Sequence, residues 1–181
     1  MNQFFAQMIG FLAMIFCIGS YQVKKSRRMI LCQTIGNLIY VIHYWMLGAY
    51  SGCVTLCVCA ASQIVCNFQI HKKWVNWKGW RWLFTVLLIV ACLIVWRENF
   101  QMIPCVCAII SMSSVTLITW TRNTKFIRLN KLICAGPLWL VYAIAVNSWS
   151  SIICEVIGMI SAAATVFRYN QGAAAKKEFM N

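Results

Sequence analysis

Residues 20–52, SYQVKKSRRMILCQTIGNLIYVIHYWMLGAYSG, have a counterpart 99 positions further on, and that repetition limits the fold more than any other feature. Residues 118–151 read ITWTRNTKFIRLNKLICAGPLWLVYAIAVNSWSS, with a basic loop, an apolar run and a short polar turn in the same order. Few letters are identical, but the classes align. Tyr40 falls on Trp139, His43 on Tyr142, Gly48 on Asn147, and Tyr50-Ser51 on Trp149-Ser150. A fixed period of this kind constrains the whole architecture. The chain reads as two copies of a three-segment unit.

What fills the segments settles the solvent. Hydrophobic residues make up 62% of the chain and charged residues 10%, where a soluble domain carries about 25% charged residues. Long uncharged runs between clustered charges are the mark of membrane spans. A net charge of +13 elsewhere suggests nucleic acid. Here the basic residues sit in short loops between apolar runs, and no RNA-binding module is present, so the expected partner is the lipid bilayer and not nucleic acid. The eleven cysteines lie in or beside apolar segments, without C-x-x-C and without paired histidines. They read as small packing residues, and neither a metal site nor a cofactor is expected.

The pattern predicts an all-α integral membrane protein with seven spans, at about 3–21, 29–47, 49–69, 82–96, 102–120, 131–146 and 148–167. Residues 1–20 have no basic stretch ahead of the apolar run, so they read as a span and not as a signal peptide. Residues 1–69 form the first three-helix repeat. Residues 70–98 hold an interfacial loop of interleaved Lys, Arg and Trp plus a linker helix, 99–170 the second repeat, and 171–181 a flexible cytoplasmic tail. Counted on alternating sides, fifteen Lys and Arg face one side and Arg97 alone the other. The positive-inside rule then puts the N-terminus outside and the C-terminus inside. A three-span unit ends on the side opposite its start, so the unpaired fourth helix returns the chain. Both repeats then run parallel, an arrangement known for SWEET proteins.

This 3+1+3 layout resembles the PQ-loop/SWEET transporter superfamily, whose mark is a Pro-Gln pair near the inner end of each repeat's first helix. Tyr21-Gln22 and Trp120-Thr121 stand at those positions, so only Gln22 matches. Pro104 and Pro137 have no prolines opposite them in the first half, where Phe5 and Leu38 stand. The asparagine pair of SWEET sugar sites is also missing, which speaks against sugar as the solute. A closer similarity is to the bacterial inner-membrane YgjV-type family. It rests on Gly10-Phe11, the QVKKSRR loop and HYWMLGAYSG at 43–52. That resemblance implies a bacterial inner membrane and no particular activity.

Glu155 is the sharpest candidate for function, because an ionisable side chain within a span costs about 2.5–3.5 kcal/mol on insertion scales. Ser151, Glu155, Gly158 and Ala162 share one helix face, which is expected to turn inward. Asn37, Tyr40 and Trp139 are candidates to line a midplane cavity beside it, with an aromatic belt as the alternative reading. Gln22, Gly19, Gly36, Gly136, Pro137 and Gly158 are candidate sites of close helix approach or bending. No catalytic motif is present, so no enzyme activity is expected. The functional expectation is a small-solute carrier working by alternating access between the repeats. Its alternative is a non-transporting accessory protein that keeps the fold, and homo-oligomerisation is left open.

Overall fold

The computed structural model describes residues 3–68, 79–96 and 102–178 and is helical throughout them, with no strand. Among the described residues seven helices follow one another: α1 (Gln3–Gln22), α2 (Ser26–Met46), α3 (Tyr50–Phe68), α4 (Trp80–Trp96), α5 (Met102–Thr119), α6 (Thr124–Ala145) and α7 (Trp149–Glu178). Five of them (α1, α3, α5, α6 and α7) are long and apolar enough to cross a membrane. The 17-residue α4 is shorter but wholly apolar over most of its length. In α2, Arg27, Arg28, Gln33, Asn37 and His43 dilute the apolar character. The expected interfacial loop lies largely at 69–78, outside the described residues, as does the Arg97-Glu98-Asn99 break.

The polarity of the molecule is that of a protein dissolved in lipid. Ile103, Ile133 and Phe4 are 70% exposed or more, and every helix presents large aliphatic or aromatic side chains outward. Inside sit Thr34, His43, Thr55, Ser62, Gln63, Ser111, Ser150 and Glu155. Lipid takes apolar surface without penalty, whereas polar groups there must find partners on neighbouring helices.

Several boundaries differ from the sequence expectation. The basic loops are shorter than 22–28 and 121–130, because α2 begins at Ser26 and α6 at Thr124, where Asn123 accepts a hydrogen bond from the Lys125 amide at 3.0 Å. An N-cap of this kind satisfies one orphan donor of the first turn. Lys131, expected at the mouth of the sixth span, therefore stands about 10 Å inside its helix. The backbone of α7 stays helical through Glu178, where a flexible tail was expected from 171.

Helix α6 carries a π-helical turn over Lys131–Ala135, in which the Gly136 amide bonds back to the Lys131 carbonyl. Pro137 follows at once. It has no N–H and crowds the carbonyl four residues back, and the widened turn absorbs that conflict. A side chain at 136 would put its Cβ 2.3 Å from the Lys131 carbonyl, so glycine is required there.

Helix α1 packs on α2 and α7, α2 on α3, α3 on α5, α5 on α6, and α6 on α7, closing a ring; α4 sits outside it against α3 and α5. Exchanging α1, α2, α3 for α5, α6, α7 leaves the neighbour relations of the ring, though not those of α4, unchanged. The correspondence extends to single hydrogen bonds at the 99-residue offset. After α2, the amides of Leu47, Gly48 and Ala49 bond to the carbonyls of His43, Trp45 and Tyr44. After α6, Val146, Asn147 and Ser148 bond to Tyr142, Ile144 and Ala143. Gly48 and Asn147 both adopt left-handed φ, +72° and +54°, which glycine tolerates best and asparagine next.

Candidate functional site

The six helices of the ring line a partly open cavity of ≈ 70 Å³, to which all six contribute and α4 does not. Glu155, Asn37, Tyr40 and Trp139, the four candidates from the sequence, all line it. The face of α7 expected to turn inward does so: Ser151, Glu155, Gly158 and Ala162 are buried.

Glu155 has a partner there that sequence reasoning missed. Lys131 Nζ lies 2.5 Å from Glu155 Oε2, with the two side chains 12% and 7% exposed. By sequence alone Lys131 belongs with the basic loop residues at the membrane surface. A π turn holds one residue more than an α turn and swings the preceding residues by about 100°. The Lys131 stem then crosses Gly158, where an added Cβ would come 3.2 Å from its Cε. Its ammonium also stands 5.9 Å from the Tyr21 ring centre, within cation–π range. The positions 99 residues earlier are Cys32 and Leu56. The charge pair thus belongs to one half of the ring only.

Amides line the cavity as well. Asn37 Nδ2 donates to Gln63 Oε1 at 3.1 Å, and Thr34 Oγ1, which donates to the Ile30 carbonyl at 2.8 Å, lies 3.2 Å from the same oxygen. Gln63 Nε2, Gln33 Oε1 and Thr119 Oγ1 are buried without a hydrogen-bond partner, and all three residues line the cavity. Buried polar atoms without partners are uncommon and mark places where water or a ligand belongs. Gln33 and Thr119 carry no signal of their own in the sequence. Their importance comes only from the face on which packing puts them.

Hydrogen bonds tie the two halves of the ring together at both of its ends. At the end carrying the Gly48 and Asn147 turns, His43 is fully buried between α1 and the start of α7. The Ala6 carbonyl can only accept, so His43 Nδ1 donates to it at 2.7 Å, and Nε2 accepts from Ser148 Oγ at 2.7 Å. Tyr44 OH donates to Ser151 Oγ at 2.7 Å. In the other half the Gly52 amide donates to Tyr142 OH at 2.7 Å, and that hydroxyl reaches the Ala49 carbonyl at 3.4 Å. His43 with Ser148 and Tyr142 with Ala49 are equivalent positions 99 residues apart. Tyr44, Trp139 and Tyr142 stack into one aromatic cluster, with Trp139 and Tyr142 ring centres 4.9 Å apart. The aromatic stripe is therefore interior and not a belt.

At the opposite end Gln22 Nε2 donates to Ser161 Oγ at 2.7 Å and Trp120 Nε1 to Ser62 Oγ at 2.9 Å, again an equivalent pair of serines. Arg128 donates to the carbonyls of Tyr21 and Val23 at 3.0 and 3.1 Å, and Arg122 to that of Cys66. Arg122 in the loop and Arg128 near the start of α6 thus satisfy carbonyls at the ends of α3 and α1, as cations near helix C-termini do. Gly36 allows close approach of α1, since an added Cβ would meet Cys17 Sγ at 2.4 Å. Gly19 faces open space and permits no such approach. Among the described residues no three His, Cys, Asp or Glu converge as a metal site would require.

A profile of the bacterial inner membrane protein family Imp-YgjV matches residues 4–173. The chain belongs to this family. No curated protein and no solved structure matches it. Membership makes the protein a bacterial inner membrane protein, in keeping with its apolar exterior, and the match runs through the whole ring from α1 to α7.

Proposed function

We propose that this Imp-YgjV protein crosses the inner membrane seven times as two parallel three-helix units joined by α4, and carries a small solute through the ring cavity by alternating access without changing it covalently. The N-terminus is periplasmic and the C-terminus cytoplasmic in this reading, on the strength of the distribution of Lys and Arg, which remains about fourteen to one once Lys131 is counted with the interior. Exchange-equivalent hydrogen bonds at the 99-residue offset support the two-unit organisation, the parallel case of repeat-built transporters. The observation that carries the reading is the Lys131–Glu155 pair in a cavity lined by all six ring helices. Ionisable groups are retained in a membrane interior chiefly where they serve a pathway.

Alternating access requires the bonds between the halves to release at one end of the ring or the other. The same bonds favour a second reading, a rigid accessory protein, since His43 and Tyr142 bolt the two halves together. Cys17 and Cys154 both line the cavity and separate the two readings without knowledge of the solute. In variants retaining only Cys154 or only Cys17, a membrane-impermeant methanethiosulfonate is applied to right-side-out and to inverted vesicles. Modification from both faces is the expected result for a carrier. Protection from both faces sinks the carrier reading and leaves the scaffold.

A further inference from the structure

We infer that the cavity takes a small monoanion together with one proton, the proton bound by Glu155 and the anion by Lys131. This rests on the carrier reading of the same site. The first ground is charge. Lys131 and Glu155 form a neutral pair, and a lone ion of either sign added to it would leave a net charge in a water-poor interior, at a cost of several kcal/mol. An occupant enters cheaply only if the site stays neutral. Protonating the carboxylate frees the ammonium for an anion; deprotonating the ammonium would free the carboxylate for a cation. From pH 7 the ordinary carboxyl pKa of about 4.3 is nearer than the ordinary amine pKa of about 10.4. The carboxylate is therefore the group that yields.

Donors and size point the same way. An ammonium has three N–H donors, of which Glu155 takes one. Gln63 is 1% exposed, lines the cavity, and has its Nε2 without a partner. Lys131 on α6 and Gln63 on α3 thus both offer donors to the cavity they line. The volume of ≈ 70 Å³ is about half that of a cavity known to hold benzene, which suits an anion of a few heavy atoms. Formate and nitrate have that size. The other titratable groups around Glu155 are Tyr21 and Cys17 on α1, Tyr44 and Tyr40 on α2, and Cys154 on α7. All are neutral acids at pH 7 in their ordinary state, so Lys131 is the one cation among the described residues at the pair. The proton comes from water on the side to which the cavity opens and leaves to water on the other side, with no bond formed or broken elsewhere.

The test is thermal stability of the full chain in detergent with sodium formate, sodium nitrate or methylammonium sulfate, at several pH values. Wild type, E155Q, K131M and K131M/E155Q are compared, the double variant controlling for folding and for general salt effects. One proton taken up per anion makes the apparent affinity for formate and nitrate rise about tenfold per pH unit of acidification. In E155Q, which stands in for the protonated acid, binding is independent of pH. In K131M and in the double variant it is lost. Equal stabilisation of K131M by the anions, stabilisation by methylammonium in their place, or no response to either anion at any pH would each overturn the inference. Thiol modification from both faces combined with no anion response refutes this inference while leaving the carrier standing. Absence of modification refutes the carrier itself.

Discussion

Replacing Lys131 by methionine leaves Glu155 in a site where only 7% of its side chain meets solvent. Removing one partner of such a pair costs about 3–5 kcal/mol, because the remaining charge stays desolvated. A ceiling exists. The abandoned carboxylate can discharge by taking up a proton, which at pH 7 costs about 3.7 kcal/mol from an ordinary pKa of about 4.3. K131M should therefore lose about 3–4 kcal/mol at pH 7. The loss should shrink by about 1.4 kcal/mol per unit as the pH falls toward 5, since the folded variant then holds a proton that its unfolded form lacks. E155Q should lose a similar amount, capped near 4.6 kcal/mol by deprotonation of an ordinary lysine with a pKa of about 10.4. The double variant K131M/E155Q carries no stranded charge and should lie within about 1 kcal/mol of wild type. Reversible unfolding in SDS, extrapolated linearly, reads all four proteins. Additive single losses below about 1 kcal/mol, with no pH dependence for K131M, would refute the buried pair and everything built on it.

Gly158→Val should obstruct the Lys131 stem and cost about 1–3 kcal/mol; the same change in K131M should cost far less, which a double-mutant cycle measures. Gly52→Ala would place Cβ 2.4 Å from Tyr142 OH and should destabilise by about 1–3 kcal/mol. Y142F removes that oxygen, so part of the loss should return in the double variant, as SDS unfolding would record. Gly48→Ala puts a Cβ at φ +72° and should cost about 1 kcal/mol, whereas Asn147→Gly at φ +54° should be neutral or slightly stabilising. Equal effects at the two turns would contradict their common geometry.

Much of this organisation is legible in the chain itself. Apolar run lengths and loop charges determine a membrane protein before any packing is known, because hydrocarbon thickness and desolvation leave few alternatives. The register of the two halves is equally visible: Gly48 and Asn147 align by class at the 99-residue offset and meet in geometry as equivalent turns. Glu155 stands out because a carboxyl in a span is costly, and its small neighbours at helical spacing assign its face. Lys131 could not be placed the same way. A lysine near the end of an apolar run can lie along it with its stem and send its charge either way. Which way is decided by the π turn before Pro137 and by the bare backbone of Gly158 on the facing helix, neither of which leaves a periodic trace. Gln33 and Thr119 are silent for a related reason, since a polar residue in a helix acquires meaning only from the atoms opposite it. The membrane, the helices and the acid are thus properties of the sequence. The cavity, the lysine that answers the acid and the bonds that tie the two halves together exist only once six helices pack side by side, because each depends on contacts between residues distant in the chain.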